Sequence, residues 1–183
     1  MKTRSLFLST WLVLLSSCSA IPVSVDYQPG TDFNKINRYY WLPPKAGLQP
    51  ASIYNSELVG ARVEQAVEQE LLSRGILRVD TRADADVLVS YQIGIQKLVD
   101  IDTQLGLDGR FSRHSGVGLD LFAGYSQEYD QSTLVIDLRN PGDHRLLWRG
   151  MAERRLSRFD SPQRHAEFIT ATVAAVLAKY PPL

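Results

Sequence analysis

Apolar residues recur at helical spacing in two stretches of the chain. Between Asn55 and Arg74, Val59, Val63, Ala66, Val67 and Leu71 form one stripe. Glu57, Arg62, Glu64, Gln65, Glu68 and Gln69 fill the opposite face, as expected of a helix lying on a core. Asn55 or Ser56 can cap its start, and Gly75 is placed as a left-handed stop. A second helix is expected from Ser161-Pro162, with serine as cap and proline in the first turn. Its face runs through Ala166, Ile169, Val173, Val176, Leu177 and Tyr180, and Pro181-Pro182 ends it.

Elsewhere the period is two. From Asp86 to Gln96, Val87, Val89, Tyr91, Ile93 and Ile95 point one way and Asp86, Ser90, Gln92 and Gln96 the other, with Leu88 the exception. Thr133–Leu138 and Arg145–Leu156 read as two more strands. Asn140-Pro141-Gly142-Asp143 joins them as a hairpin turn. Shorter candidates are 23–27, 38–42, which stops at Pro43-Pro44, and 76–79. A Pro/Gly-containing loop is expected at 43–52, and a long glycine-rich loop at about 98–130. Two amphipathic helices need one sheet face to cover. The expectation is an α+β fold, a two-layer sandwich of mainly antiparallel sheet with both helices on one face.

The first residues have a different pattern. Lys2 and Arg4 precede the apolar run Leu6–Leu15, which is shorter than the roughly 20 residues needed to span a bilayer. Leu15-Ser16-Ser17-Cys18 resembles the lipobox of bacterial lipoproteins, which implies cleavage before Cys18 and a diacylglyceryl group on its thiol. Cys18 is the chain's single cysteine, so no intramolecular disulfide can form. Two or more acyl chains would make the attachment stable. The expected organisation is a signal peptide at 1–17, a lipidated cysteine and tether at 18–25, and one domain at 26–183. Ser19, where an inner-membrane aspartate would stand by enterobacterial analogy, favours the outer membrane, with the domain facing the periplasm.

Charge adds little. The full chain is neutral, and losing the leader's two cations makes it slightly acidic. Nothing there recommends nucleic acid or bulk anionic lipid as a partner.

Several segments resemble a family of bacterial lipoproteins known as domain-of-unknown-function family 4136. They are Ala83-Asp84-Ala85-Asp86-Val87-Leu88-Val89-Ser90-Tyr91, Ser132-Thr133-Leu134-Val135-Ile136-Asp137-Leu138 and Leu146-Leu147-Trp148-Arg149-Gly150. Tyr39-Tyr40-Trp41, Tyr180-Pro181-Pro182 and the glycine-rich insert also fit; Gln131 departs from the glycine many members carry. The resemblance spans about 23–182. It implies an envelope lipoprotein with an α+β domain, and it brings no catalytic residues to carry over.

Candidate chemistry is sparse. His114, His144 and His165 fall in no ligand spacing, and Asp84/Asp86 and Asp100/Asp102 do not continue into a calcium loop. There is no Gly-x-Ser-x-Gly, Ser115 beside His114 makes no dyad, and Gly116-Val117-Gly118 lacks the context of a phosphate loop. No catalytic residue, metal or cofactor is expected. Arg149, Arg154, Arg155, Arg158 and Arg164 could form a docking surface for an acidic partner or lipid headgroup, though Glu153 and Asp160 among them suggest a mixed solvated face. Trp148 reads as core, aligned with Leu146, Gly150 and Ala152. Tyr39, Tyr40 and Trp41 cannot all face one core.

The functional expectation is a non-enzymatic interaction module, tethered to the membrane by its lipid and contacting envelope proteins. Its candidate contact residues are Tyr40, Trp41, Phe111, Phe122, Arg154 and Arg155. The alternative is a carrier or sensor of an apolar ligand such as a lipid.

Overall fold

The computed structural model describes residues 21–42, 56–102, 125–156 and 161–182. Its strands are β1 (Val23–Tyr27), β2 (Arg38–Trp41), β3 (Leu77–Arg78), β4 (Val87–Asp102), β5 (Tyr125–Arg139) and β6 (Leu146–Arg155). Its helices are α1 (Glu57–Ser73) and α2 (Pro162–Leu177). The fold is α+β.

Both helices begin and end where their sequences dictate. The Ser56 side chain accepts from the Val59 amide, and the Ser161 side chain accepts from the Arg164 amide ahead of Pro162. At the end of α1 the Ile76 amide donates to Leu71 and the Gly75 amide to Leu72. Gly75 takes φ +78°, so this is a Schellman close, with Ile76 and Leu71 both buried. The helices lie side by side and run the same way. Arg74 at the end of α1 donates to the Leu177 carbonyl at the end of α2, 3.1 Å away.

The sheet order is β1-β6-β5-β4-β2-β3. β1–β6, β6–β5 and β5–β4 are antiparallel, while β4–β2 and β2–β3 are parallel. The sheet is therefore mixed. The parallel part arises because α1 carries the chain from β2 across to its neighbour β3, a connection that returns strands in the same direction.

One core joins the helix stripes to alternate residues of the sheet: Val59, Val63, Val67 and Leu71 with Val173, Val176 and Leu177, against Val87, Val89, Ile136, Leu138 and Trp148. Leu88, the residue out of phase in β4, is itself fully buried, on the opposite face from Val87 and Val89. Gly150 is required by this packing. A Cβ there would lie 2.4 Å from the Trp148 ring and 2.6 Å from Val176.

The long loop expected at 98–130 is shorter than its glycines suggested. β4 and β5 stay in register from Leu88↔Arg139 to Asp102↔Tyr125, which leaves the connection as 103–124, outside the described residues. β6 stops at Arg155, opposite Gln131. From Leu98↔Tyr129 onward β4 and β5 pair only with each other among the described residues, as a two-stranded ribbon leaving the sheet. At the other end Asn140 Oδ1 accepts from the Gly142 and Asp143 amides, and His144 takes the left-handed φ of 60° that completes the turn.

Candidate interaction surface

The aromatic run on β2 sorts by the strand's period. Tyr39 and Trp41 face the core and are buried, with ring centroids 6.4 Å apart edge to face, and Tyr91 lies 5.9 Å from Trp41. Burial, followed by the nearby Glu68 charge, pushes the Tyr39 hydroxyl up to about 12. Tyr40 turns to the other face beside Leu88 and is half-buried. Trp41 is thus a core residue rather than a contact group. Tyr40 keeps an accessible edge. Cys18, Phe111 and Phe122 lie outside the described residues.

The arginines do not form one patch. Arg154 points to the helix side, where its Nη1 donates to the Phe168 carbonyl at 3.0 Å and to Thr172 Oγ1 at 2.8 Å. Its guanidinium sits 3.8 Å over the Phe168 ring. Burial lowers its pKa, and no carboxylate among the described residues pairs with it. Arg155, one residue on, points to the opposite face and lies 4.1 Å over the Tyr129 ring. Arg149 shares that outer face but is fully engaged. Arg158 lies outside the described residues. Two faces therefore divide what looked like a single basic cluster.

What engages Arg149 is the one buried carboxylate of the described structure. Asp137 is 1% exposed. Arg149 grips it with Nε at 2.6 Å and Nη2 at 2.8 Å, and Arg139 adds Nη2 at 2.7 Å. Register aligns Asp26, Arg149, Asp137 and Ser90 across β1, β6, β5 and β4. Burial pushes the Asp137 carboxyl up, and the two guanidiniums more than reverse it, leaving it below the ordinary value. This triad was missed in the sequence. An acid inside Val135-Ile136-Asp137-Leu138 was the signal that could have found it.

The remaining candidates have structural work. Asp86 accepts from the Asn37 and Arg38 amides and from the Arg38 side chain, which outweighs its desolvation and lowers its pKa. Asp84 accepts from Thr81 Oγ1. Among the described residues no three His, Cys, Asp or Glu side chains gather as a metal site. No described helix is long and apolar enough to cross a membrane.

Two concavities stand out among the described residues. A depression of about 570 Å³ lies at the end of the sheet near the β5–β6 turn, lined by Gly30, Asp32, Lys35, Asp86, Asn140 and Arg145 among others. Lys35 is already paired with Asp32 at 3.0 Å. At the opposite end a cleft of about 40 Å³ opens between the starts of the helices, lined by Val59, Val63, Ile93, Leu134, His165 and Phe168 among others. Burial and then the Arg62 charge lower the His165 pKa. Ligand pockets run from roughly 300 to 1,000 Å³, so this cleft has room for little more than a methyl group or a water.

None of the curated proteins matches the chain. Among solved structures, a PDZ domain protein from Parabacteroides distasonis aligns at 14% identity and TM-score 0.54, covering 89% of this chain and 36% of that one. The chain spans about a third of that protein's length, and the likeness is one of fold. A PelC dodecamer from Paraburkholderia phytofirmans aligns at 12% identity and TM-score 0.48, covering 86% and 94%. A DUF4136 family protein from Bacteroides thetaiotaomicron aligns at 14% identity and TM-score 0.38, covering 87% and 94%. The family model for "Domain of unknown function (DUF4136)" matches residues 23–182. Nearly the whole folded body is thereby accounted for, and the chain belongs to the DUF4136 family.

Proposed function

We propose that this chain is a lipid-anchored envelope protein whose folded body is a non-enzymatic interaction module, seated on the periplasmic side of the outer membrane. One observation carries the reading. The lipobox-like Leu15-Ser16-Ser17-Cys18 stands only three residues before Ile21, which already packs against the core. A diacylglyceryl thioether at Cys18 would therefore hold the body against a bilayer on a very short tether. In this reading the two helices form one layer over one sheet face, and the opposite face, with Tyr40 and Arg155, is a surface offered to envelope partners. The apolar-ligand alternative is the weaker one, because the cleft between the helices is far too small for an acyl chain.

Metabolic labelling with an alkyne fatty acid tests the anchor. The full chain should take up label and sediment with membranes, and Cys18→Ala should lose both. Label-free protein that sediments equally well in both forms would overturn the anchor. A photo-crosslinker at Tyr40 in intact cells tests the module, with capture of a discrete envelope protein expected. Absence of any adduct there and at Arg155 would remove this face from the proposal.

A further inference from the structure

We infer that the β4–β5 ribbon is a membrane-contacting arm, an inference that rests on the lipid anchor proposed above. The argument starts from register. Val23, where β1 begins, lies level with Ala152, Leu134 and Ile93. β1 then runs toward Trp148, away from the ribbon. Ile21 and Pro22 therefore enter the sheet from the ribbon's end, and the reach of an anchor at Cys18 is measured from there.

Distances sharpen the point. Five residues separate Cys18 from Val23, a reach of at most about 18 Å. Nine residues of β4 separate the level of Val23, at Ile93, from Asp102. At about 3.3 Å per residue that is about 30 Å in the same direction. The paired ribbon thus projects about 12 Å past the farthest level its own anchor can occupy. Ile21, held on the core, leaves Cys18 about 11 Å of freedom. That is too little to bring the Asn140–Asp143 turn, at the other end, onto the bilayer. Anchored upright, the body meets the membrane with its ribbon first.

The ribbon's chemistry suits an interface. On one face of the ribbon Leu98 stands directly across from Tyr129, over whose ring the Arg155 guanidinium lies, and on the other face Val99 is 53% exposed. Lys97 and Glu128 are exposed on the Val99 face. Leu98 next to an arginine stacked on tyrosine presents an apolar body with a polar tip, and Val99 between Lys97 and Glu128 does the same on the other face, the arrangement that settles at headgroup depth. A two-stranded ribbon is marginal alone in water, and a bilayer surface would provide the packing that the sheet does not.

The test uses the full lipidated protein in phosphatidylethanolamine–phosphatidylglycerol vesicles containing headgroup-nitroxide lipid. The thiol of Cys18 is consumed by lipidation, so Val99→Cys gives one labelling site for an environment-sensitive dye. Glu128→Cys, directly across the ribbon, repeats the reading if Val99→Cys misfolds, and Asp143→Cys reports the far end. The protein should float with the vesicles, and the label at Val99 or Glu128 should lose most of its emission while that at Asp143 keeps it. Floating protein with equal quenching at both ends overturns the arm and leaves the anchor standing. Protein that does not float overturns the anchor, and the arm with it.

Discussion

β4 and β5 are one continuous pair of strands living in two environments. Beneath the helices, the rows through Val87, Val89, Ile136 and Leu138 are fully buried, and β6 continues the sheet alongside them. Ten residues past Val89, Val99 is mostly exposed, and among the described residues only β4 and β5 remain paired. The same hydrogen-bond ladder serves both regions. What differs is the third layer of contacts, so stability should fall steeply along a single pair of strands. Buried rows decide whether the protein folds; the ribbon is free to be shaped by what it touches.

The largest effect should come from emptying the packed end. Trp148 is fully buried against Tyr180, with ring centroids 5.4 Å apart. Trp148→Ala should cost about 3–5 kcal/mol, a large share of a typical domain's stability, read as a drop in the denaturant midpoint. Next comes Asp137→Asn. It strips the charge that two guanidiniums converge on, at a cost of about 2–3 kcal/mol near neutral pH, moderated because both arginines keep some water. The pH dependence has a definite sign. The Asp137 carboxyl titrates below its unfolded value, so its stabilisation is complete above about pH 4 and is lost as pH falls through the folded pKa. The gap between wild type and Asp137→Asn should therefore close in acid. A gap that stayed constant down to pH 2 would mean the triad contributes no charge-dependent stability.

Gly150→Ala refines the comparison with a single methyl group. Its Cβ would press on Trp148 and Val176, neither of which has room to yield. The expected loss is about 1–3 kcal/mol, visible as a lowered Tm. If the variant matched wild type, the approach of α2 to β6 would have room for a methyl group.

The two regions also differ in how well the sequence foretells them. Helices and buried rows announce themselves because a face turned to a core imposes a period: Val59, Val63, Val67 and Leu71 on α1, Val87 and Val89 on β4. Tyr125–Asp130 carries no such mark, since strands beyond the helix-covered core require no alternation, and it reads as loop. The parallel pairing of β2 was missed for a different reason. Direction is set by the crossover through α1, which a strand's own four residues do not record. At the candidate surface, Arg154 and Arg155 were grouped by nearness in sequence, although adjacent strand residues must part to opposite faces. The same period, applied to Tyr39, Tyr40 and Trp41, separates the half-buried ring from the two buried ones. Asp137 and Arg149 meet only through hairpin register, which was not derivable without the turn's geometry.

The smallest effect should belong to the ribbon, and that smallness is itself informative. Val99→Ser removes an exposed aliphatic group from the ribbon face opposite the Arg155–Tyr129 stack, so global stability in solution should change by less than about 0.5 kcal/mol. Hydrogen exchange on the unlipidated domain should show the same gradient without any mutation. The amides of Val89, Ile136 and Leu138 should exchange only through global unfolding, while those from Leu98 to Asp102 should exchange orders of magnitude faster by local opening. Were Val99→Ser to destabilise the soluble domain by more than about 1 kcal/mol, the ribbon would already be packed in solution. Its contacts would then be with the body of the protein, and nothing would be left for a bilayer to complete.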